Sequence, residues 1–242
     1  MKQPLALLVI FSLLFASCKK DKQNTSPQTE PTRPDRGIEA VTDSVSFTVN
    51  GVVYNANTVN TFNTFGNGGV NQKLIDPNAA PPKLYELSQD PDSVLYFKSN
   101  KISSDKLNFE VSFLKKYLKT DMVKAWAGLM YDVPSTKEML TLFDIGKHPY
   151  SEDFHREQNM NGIALQIYVD GGAYVSYCPL PMQTASKLEK GFQKGNFEII
   201  SLVKNNKGGY NLEATFDAQL FKEFDENDHI TAEKGYLRLN IH

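Results

Sequence analysis

Between positions 210 and 220 the chain alternates without a fault. Tyr210, Leu212, Ala214, Phe216, Ala218 and Leu220 are apolar, and Asn211, Glu213, Thr215, Asp217 and Gln219 between them are polar. A period of two puts one side of a β-strand in a core and the other in water. A helix would scatter the same apolar residues around its circumference and leave no buried stripe. The rhythm returns at Val45, Phe47 and Val49, at Leu107, Phe109, Val111 and Phe113, at Ile163, Leu165, Ile167 and Val169, and at Leu237, Leu239 and Ile241, and Asn196 to Val203 reads as another strand. Val94-Leu95-Tyr96-Phe97 is apolar throughout and predicts a buried strand. The pattern predicts a mainly β fold: an antiparallel β-sandwich or a lipocalin- or jelly-roll-like barrel, with one or two short helices.

Turn chemistry sets the pairings. Asn50-Gly51 predicts a two-residue type I′ hairpin turn, because both central residues must take positive φ. Val49 then opposes Val52 and Phe47 opposes Tyr54, so Val45, Phe47, Val49, Val52 and Tyr54 share one face. The strand at 163–169 meets Asp170-Gly171-Gly172 and returns. A two-residue turn brings Tyr174, Ser176 and Cys178 to the apolar face, whereas a three-residue turn brings Val175 and Tyr177; the sequence leaves this register open. Polar turns are expected at 100–105 and at 204–209. Leu114, Leu118, Met122, Trp126 and Met130 recur every fourth residue and predict one helical face with Trp126 in the core; the alternative is a turn at Lys119-Thr120-Asp121 between two strands. Ser135-Thr136-Lys137-Glu138 has the form of a capping box, predicting a short helix across an open sheet end that stops near Gly146. Residues 55–82, rich in Asn, Gly and Pro, are expected to form a long loop. Its Phe62 and Phe65 are candidates for stacking on a sugar ring, with inward-pointing anchors the favoured alternative.

The densest group of metal-ligating side chains is His148, Glu152, Asp153 and His155. Imidazoles and carboxylates of this kind hold zinc or another transition metal. Their spacing is not that of a His-x-x-x-His pair on a helix, and Pro149 disfavours regular structure, so an exposed polar loop is the favoured expectation. The acidic run Asp225-Glu226-Asn227-Asp228 lacks the spaced ligands and glycine of a calcium loop and predicts a solvated turn. Cys178, beside Pro179, is expected to be a small buried hydrophobe, since no base adjoins it in sequence. No nucleophile motif or phosphate-binding loop is present, so no catalytic residue and no cofactor is expected.

The chain opens with Lys2, an apolar run from Leu5 to Phe15, and Ala16-Ser17-Cys18. The run is shorter than the roughly 20 residues that span a bilayer; with its charged start and small residues it predicts an export signal over 1–17. Phe15-Ala16-Ser17-Cys18 resembles the lipobox of bacterial lipoproteins. The resemblance implies cleavage before Cys18 and acylation of its thiol, making Cys18 the point of attachment to a lipid bilayer. Residues 19–43 hold no aromatic side chain but several prolines and mixed charges, the composition of an extended linker. Residues 44–242 are then one β domain. With Cys18 acylated, Cys178 has no disulfide partner. Lys and Arg number 26 against 28 Asp and Glu, interspersed, which argues against a nucleic-acid surface.

Gly162-Ile163, Tyr168-Val169-Asp170-Gly171-Gly172, Gly195-Asn196-Phe197-Glu198-Ile199, Thr215-Phe216-Asp217-Ala218, Ile230-Thr231 and Gly235-Tyr236 resemble uncharacterised β-rich domains of Bacteroidota lipoproteins. The resemblance implies a sandwich-like fold and a place at the outer membrane, on its periplasmic face or at the cell surface. It carries over no site residues. The expected function is a non-catalytic envelope lipoprotein whose β domain binds a glycan or another envelope component. The alternatives are an envelope-polymer hydrolase, glycosidase-like or using a metal near His148 and His155, and a fimbrial-type structural subunit. Oligomeric state is left open.

Overall fold

The computed structural model describes residues 37–59, 64–70, 72–73, 86–87, 90, 92–126, 130–182 and 184–242. The expected export signal, Cys18, most of the linker and Phe62 lie outside these residues. The first hairpin is β1 (Ser44–Val49) and β2 (Val52–Ala56). Its turn has φ of 50° at Asn50 and 80° at Gly51, and Val49 faces Val52 and Phe47 faces Tyr54 as expected. Val45, Phe47, Val49 and Tyr54 are buried, but Val52, next to the turn, is 54% exposed.

The stretch expected to be a long loop carries strands instead: β3 (Thr58–Val59), β4 (Thr64–Gly68) and β5 (Gln72–Lys73), the last paired with β6 (Glu86–Leu87). β3 and β4 both pair with β7 (Ser93–Ser104). The glycine content reads as loop, yet Gly66 is required by packing: a Cβ there would meet the Phe97 ring at 2.6 Å. β7 runs through the expected polar turn at 100–105 and pairs in unbroken register with β8 (Leu107–Leu118). Only Asp105 and Lys106 turn, and on the outward side of the hairpin Lys101 pairs with Glu110 at 3.0 Å.

The helix expected over 114–130 does not form. β8 continues to Leu118, a 3₁₀ turn covers Lys119–Asp121, and β9 (Met122–Trp126) pairs with β10 (Met130–Pro134). The fourfold spacing was a coincidence of two registers, since Trp126 and Met130 face each other across the hairpin. Trp126 is 73% exposed, so it is not a core residue. The capped turn does form. In α1 (Thr136–Met139) the Glu138 N–H donates to Ser135 Oγ at 3.4 Å, and the following 3₁₀ turn seats Phe143 in the core against Phe113.

The remaining strands are β11 (Gly146–His148), β12 (Gly162–Val169), β13 (Gly172–Val175), β14 (Asn196–Lys204), β15 (Tyr210–Lys222) and β16 (Asp225–Ile241). Val169 faces Gly172 and Ile167 faces Tyr174, so the β12–β13 turn has two residues, Asp170 and Gly171. The acidic run at 225–228 is not a loop but the start of β16. Phe224 at φ 69° turns the chain tightly and Lys222 pairs with Asp228 at 2.8 Å. On β15 the alternation holds from Leu212 to Leu220. Asn211 departs from it: its side chain is buried, accepting from Val41 N–H and donating to Glu39 O, which pins residues 39–41 to the sheet.

The described strands form a 12-stranded antiparallel sheet with the path β2-β1-β16-β15-β13-β12-β8-β7-β3, β14 and β11 joining beside β15 and β4 beside β7. The path has two free ends and closes into no barrel. β13 contributes only Tyr174 and Val175 to β15 and joins β12 on its other side. The sheet folds over at this strand into two facing layers, a β-sandwich with one short helix. Phe47 on β1, Phe109 on β8 and Phe216 on β15 meet between the layers with centroids 5.8–6.1 Å apart, and Phe113 meets Phe197 at 6.1 Å. A smaller cluster lies on the opposite side of β7, β8 and β12, where Leu95, Leu114 and Ala164 pack beneath Phe154 and Val70.

Candidate functional site

That smaller cluster positions the site. The segment between β11 and β12 crosses the outer side of β7, β8 and β12, held by Ile163 N–H donating to Pro149 O at 2.9 Å and Ser151 N–H to Ile163 O at 2.8 Å. Gly162 permits this approach: its φ is 133°, and a Cβ would lie 2.0 Å from Pro149 O. Phe154 is driven onto the sheet, meeting Phe97 and Tyr177 edge to face, each at 5.4 Å. The segment therefore corrects the expectation of an exposed polar loop, because Tyr150, Ser151, Glu152 and Phe154 are all buried.

The wall made this way borders a cleft of two depressions, about 280 and 300 Å³, that share Lys101, Glu110 and Gln166. Strand register sets its floor. Ser99, Ser112 and Ala164 form one cross-strand row, Lys101, Glu110 and Gln166 the next, and Ser103, Asn108 and Tyr168 the third. Phe97, Phe154, His155 and Tyr177 line one end, and Tyr168, 49% exposed, stands at the other. The Ser99 and Ser112 hydroxyls are 2.6 Å apart in the buried floor. An apolar wall with a few convergent polar groups is the usual make-up of a small-molecule site.

Of the four residues expected as metal ligands, the structure brings only His155 to this cleft. It sits at φ 61°, in the left-handed region uncommon for non-glycine residues, with its ring centroid 3.8 Å from that of Phe154. Burial of the inner ring face lowers its pKa, and the Glu110 charge works against that shift. Burial, reinforced by Glu110, raises that of the Tyr177 phenol. His148 lies on β11, with Nε2 2.7 Å from Asp144 O. Glu152 accepts from the Gly191 and Gln193 N–H groups, and Asp153 from those of Asn159 and Met160. These carboxylates are consumed in folding loops, and among the described residues no group of three His, Cys, Asp or Glu converges as a metal site.

Glu152 and Asp153 instead border a separate depression of about 370 Å³ with Arg156 and Cys178. Cys178 is buried, as expected, and its Sγ accepts from Arg156 Nη1 at 3.2 Å. The same guanidinium donates to the carbonyls of Leu180, Pro181 and Thr184, so it ties down the loop after β13. Phe65, one of the two candidates for sugar stacking, lies on β4 against Tyr131 and Tyr96 and keeps 38% exposure. Sequence reasoning missed Lys101, Glu110, Gln166 and Tyr168. Each reads only as the outward partner in an alternating strand, and their convergence depends on registers that three separate turns decide. Compared with protein-family models, with curated proteins and with solved structures, the chain finds no match. No helix among the described residues is long and apolar enough to cross a membrane.

Proposed function

We propose that the protein is a lipoprotein of the cell envelope, anchored through acylated Cys18, whose β domain binds a glycan in the cleft between Tyr168 and Tyr177. The observation that carries the binding half is the cleft's composition. Aromatic rings at its ends suit the apolar faces of sugar rings. Lys101, Glu110 and Gln166 across its middle offer donors and acceptors for sugar hydroxyls at fixed strand spacing. The anchoring half rests on the residues around Cys18. Glu110 is the one carboxylate among the described lining residues, whereas glycoside hydrolysis uses two, which favours binding over cleavage.

The test has two arms. Mass spectrometry of the protein from membranes is expected to find Cys18 as the N-terminal residue, carrying acyl chains; an unmodified Cys18 refutes the anchor. Screening the full chain on a panel of envelope oligosaccharides is expected to give a binder that Tyr168→Ala weakens about tenfold, the size of one lost aromatic contact. Binding unchanged by both Tyr168→Ala and Glu110→Gln refutes the cleft.

A further inference from the structure

The other layer of the sandwich carries a second row of outward side chains that runs unbroken across its strands. Asn55 on β2 faces Ser46 on β1, Ser46 faces Tyr236 on β16, Tyr236 faces Thr215 on β15, Thr215 faces Glu198 on β14, and Glu198 faces Lys147 on β11. Five strand gaps make the row about 24 Å long at roughly 4.8 Å per gap. The Tyr236 ring stands in the middle, 37% exposed. The surface sinks on both sides of it, into a depression of about 440 Å³ toward Lys147 and one of about 310 Å³ toward Asn55. Gly235 borders the first, and on its core side the Phe216 ring occupies the place of a side chain, which a Cβ would meet at 2.5 Å.

The polar side chains of this row are unused. Among the described residues, those of Asn55, Ser46, Thr215, Glu198 and Lys147 make no hydrogen bond or ion pair, although Glu198 and Lys147 face each other directly. The next row differs: there Arg238 and Glu213 approach to 3.4 Å, and burial, reinforced by the Glu213 carboxylate, raises the pKa of the Tyr236 phenol. Unpaired donors and acceptors around one exposed aromatic ring are complementary to a polyhydroxylated chain lying across the strands. In an extended β-1,4-linked glycan each sugar advances the chain by about one strand spacing, so successive sugars fall over successive strands.

We propose that this row is a second binding surface, distinct from the cleft, for an extended β-1,4-linked glycan seated on Tyr236. It goes beyond the cleft proposal and stands without it. The test is a titration of the ¹⁵N-labelled full chain with cellohexaose and, separately, with chitohexaose, followed by amide shifts. The expected result is saturable shifts at Ser46, Glu198, Thr215 and Tyr236 with at least one hexamer. Tyr236→Ala is expected to weaken this binding about tenfold with its thermal midpoint unchanged, and Tyr236→Phe to retain most of it. Shifts confined to Lys101, Gln166 and Tyr168 uphold the cleft and overturn the row; shifts confined to the row do the reverse. No shift with either hexamer at millimolar concentration overturns the row.

Discussion

The Tyr54 hydroxyl donates to Asp170 Oδ2 at 2.6 Å, joining the β2 strand of the first hairpin to the turn between β12 and β13. Those elements belong to opposite layers of the sandwich, and residues 54 and 170 are far apart in the chain. The contact clasps the two layers together through side chains. Tyr54→Phe keeps the ring packed on Phe47 and removes only the clasp. We expect it to cost about 1 kcal/mol, measured as a lower urea midpoint with unchanged slope.

Asn100 on β7 is 1% exposed, and neither its amide nitrogen nor its carbonyl oxygen has a partner. It faces Val111, whose side chain belongs to the main core. A buried amide left without partners is a standing cost, and an apolar side chain of similar size removes it. Asn100→Leu is expected to raise stability by about 1–2 kcal/mol. A lower melting temperature would show that the amide has a partner in solution.

His155 should make stability depend on pH in one direction. Its folded pKa lies below the ordinary value of 6.5, chiefly through burial against the loop wall, so the unfolded chain takes up the proton first. Stability is intact above that ordinary value and is lost as pH falls from it through the lowered folded one. The outer edge of the ring is exposed, so the loss is expected to stay below about 1 kcal/mol. His155→Asn, which tolerates positive φ, should flatten the difference between urea midpoints at about pH 7.5 and about pH 5.5.

Trp126 separates the hairpin from the helix first expected there. At 73% exposure its replacement by Ser should change stability by no more than about 0.5 kcal/mol. A core tryptophan would cost several times that on truncation. The same variant should lose the protein's tryptophan fluorescence, since the chain has one Trp, and the parent's emission should be that of a solvated indole.

What the sequence made legible was whatever local chemistry decides. The Asn50-Gly51 turn, the Ser135 cap and the alternation from Leu212 to Leu220 each depend on residues within a few positions of one another, and each formed. What it hid was decided at a distance. Gly66 and Gly68 read as loop because the Phe97 ring that excludes a side chain at Gly66 is not adjacent to it in sequence. Leu114, Leu118, Met122 and Trp126 mimic a helical stripe because a turn falls where the spacing conceals it. The buried Asn211 breaks the alternation because residues 39–41 supply partners from the far end of the chain. The cleft was least legible of all: of its polar centre, Lys101 and Glu110 meet across one hairpin and Gln166 is added by a strand some fifty positions further on.

β1 and β16 are neighbours, with Ser44 facing Arg238 and Ser46 facing Tyr236. The first strand of the domain therefore waits for the last, and nearly the whole polypeptide must be available before this pairing can nucleate. Such long loop closure is slow, so the freshly made chain spends its early life with the hydrophobic side of β1 uncovered. A chaperone that shields that strand would accelerate productive maturation, and a chain cut short before β16 would be stranded in a sticky, protease-sensitive form.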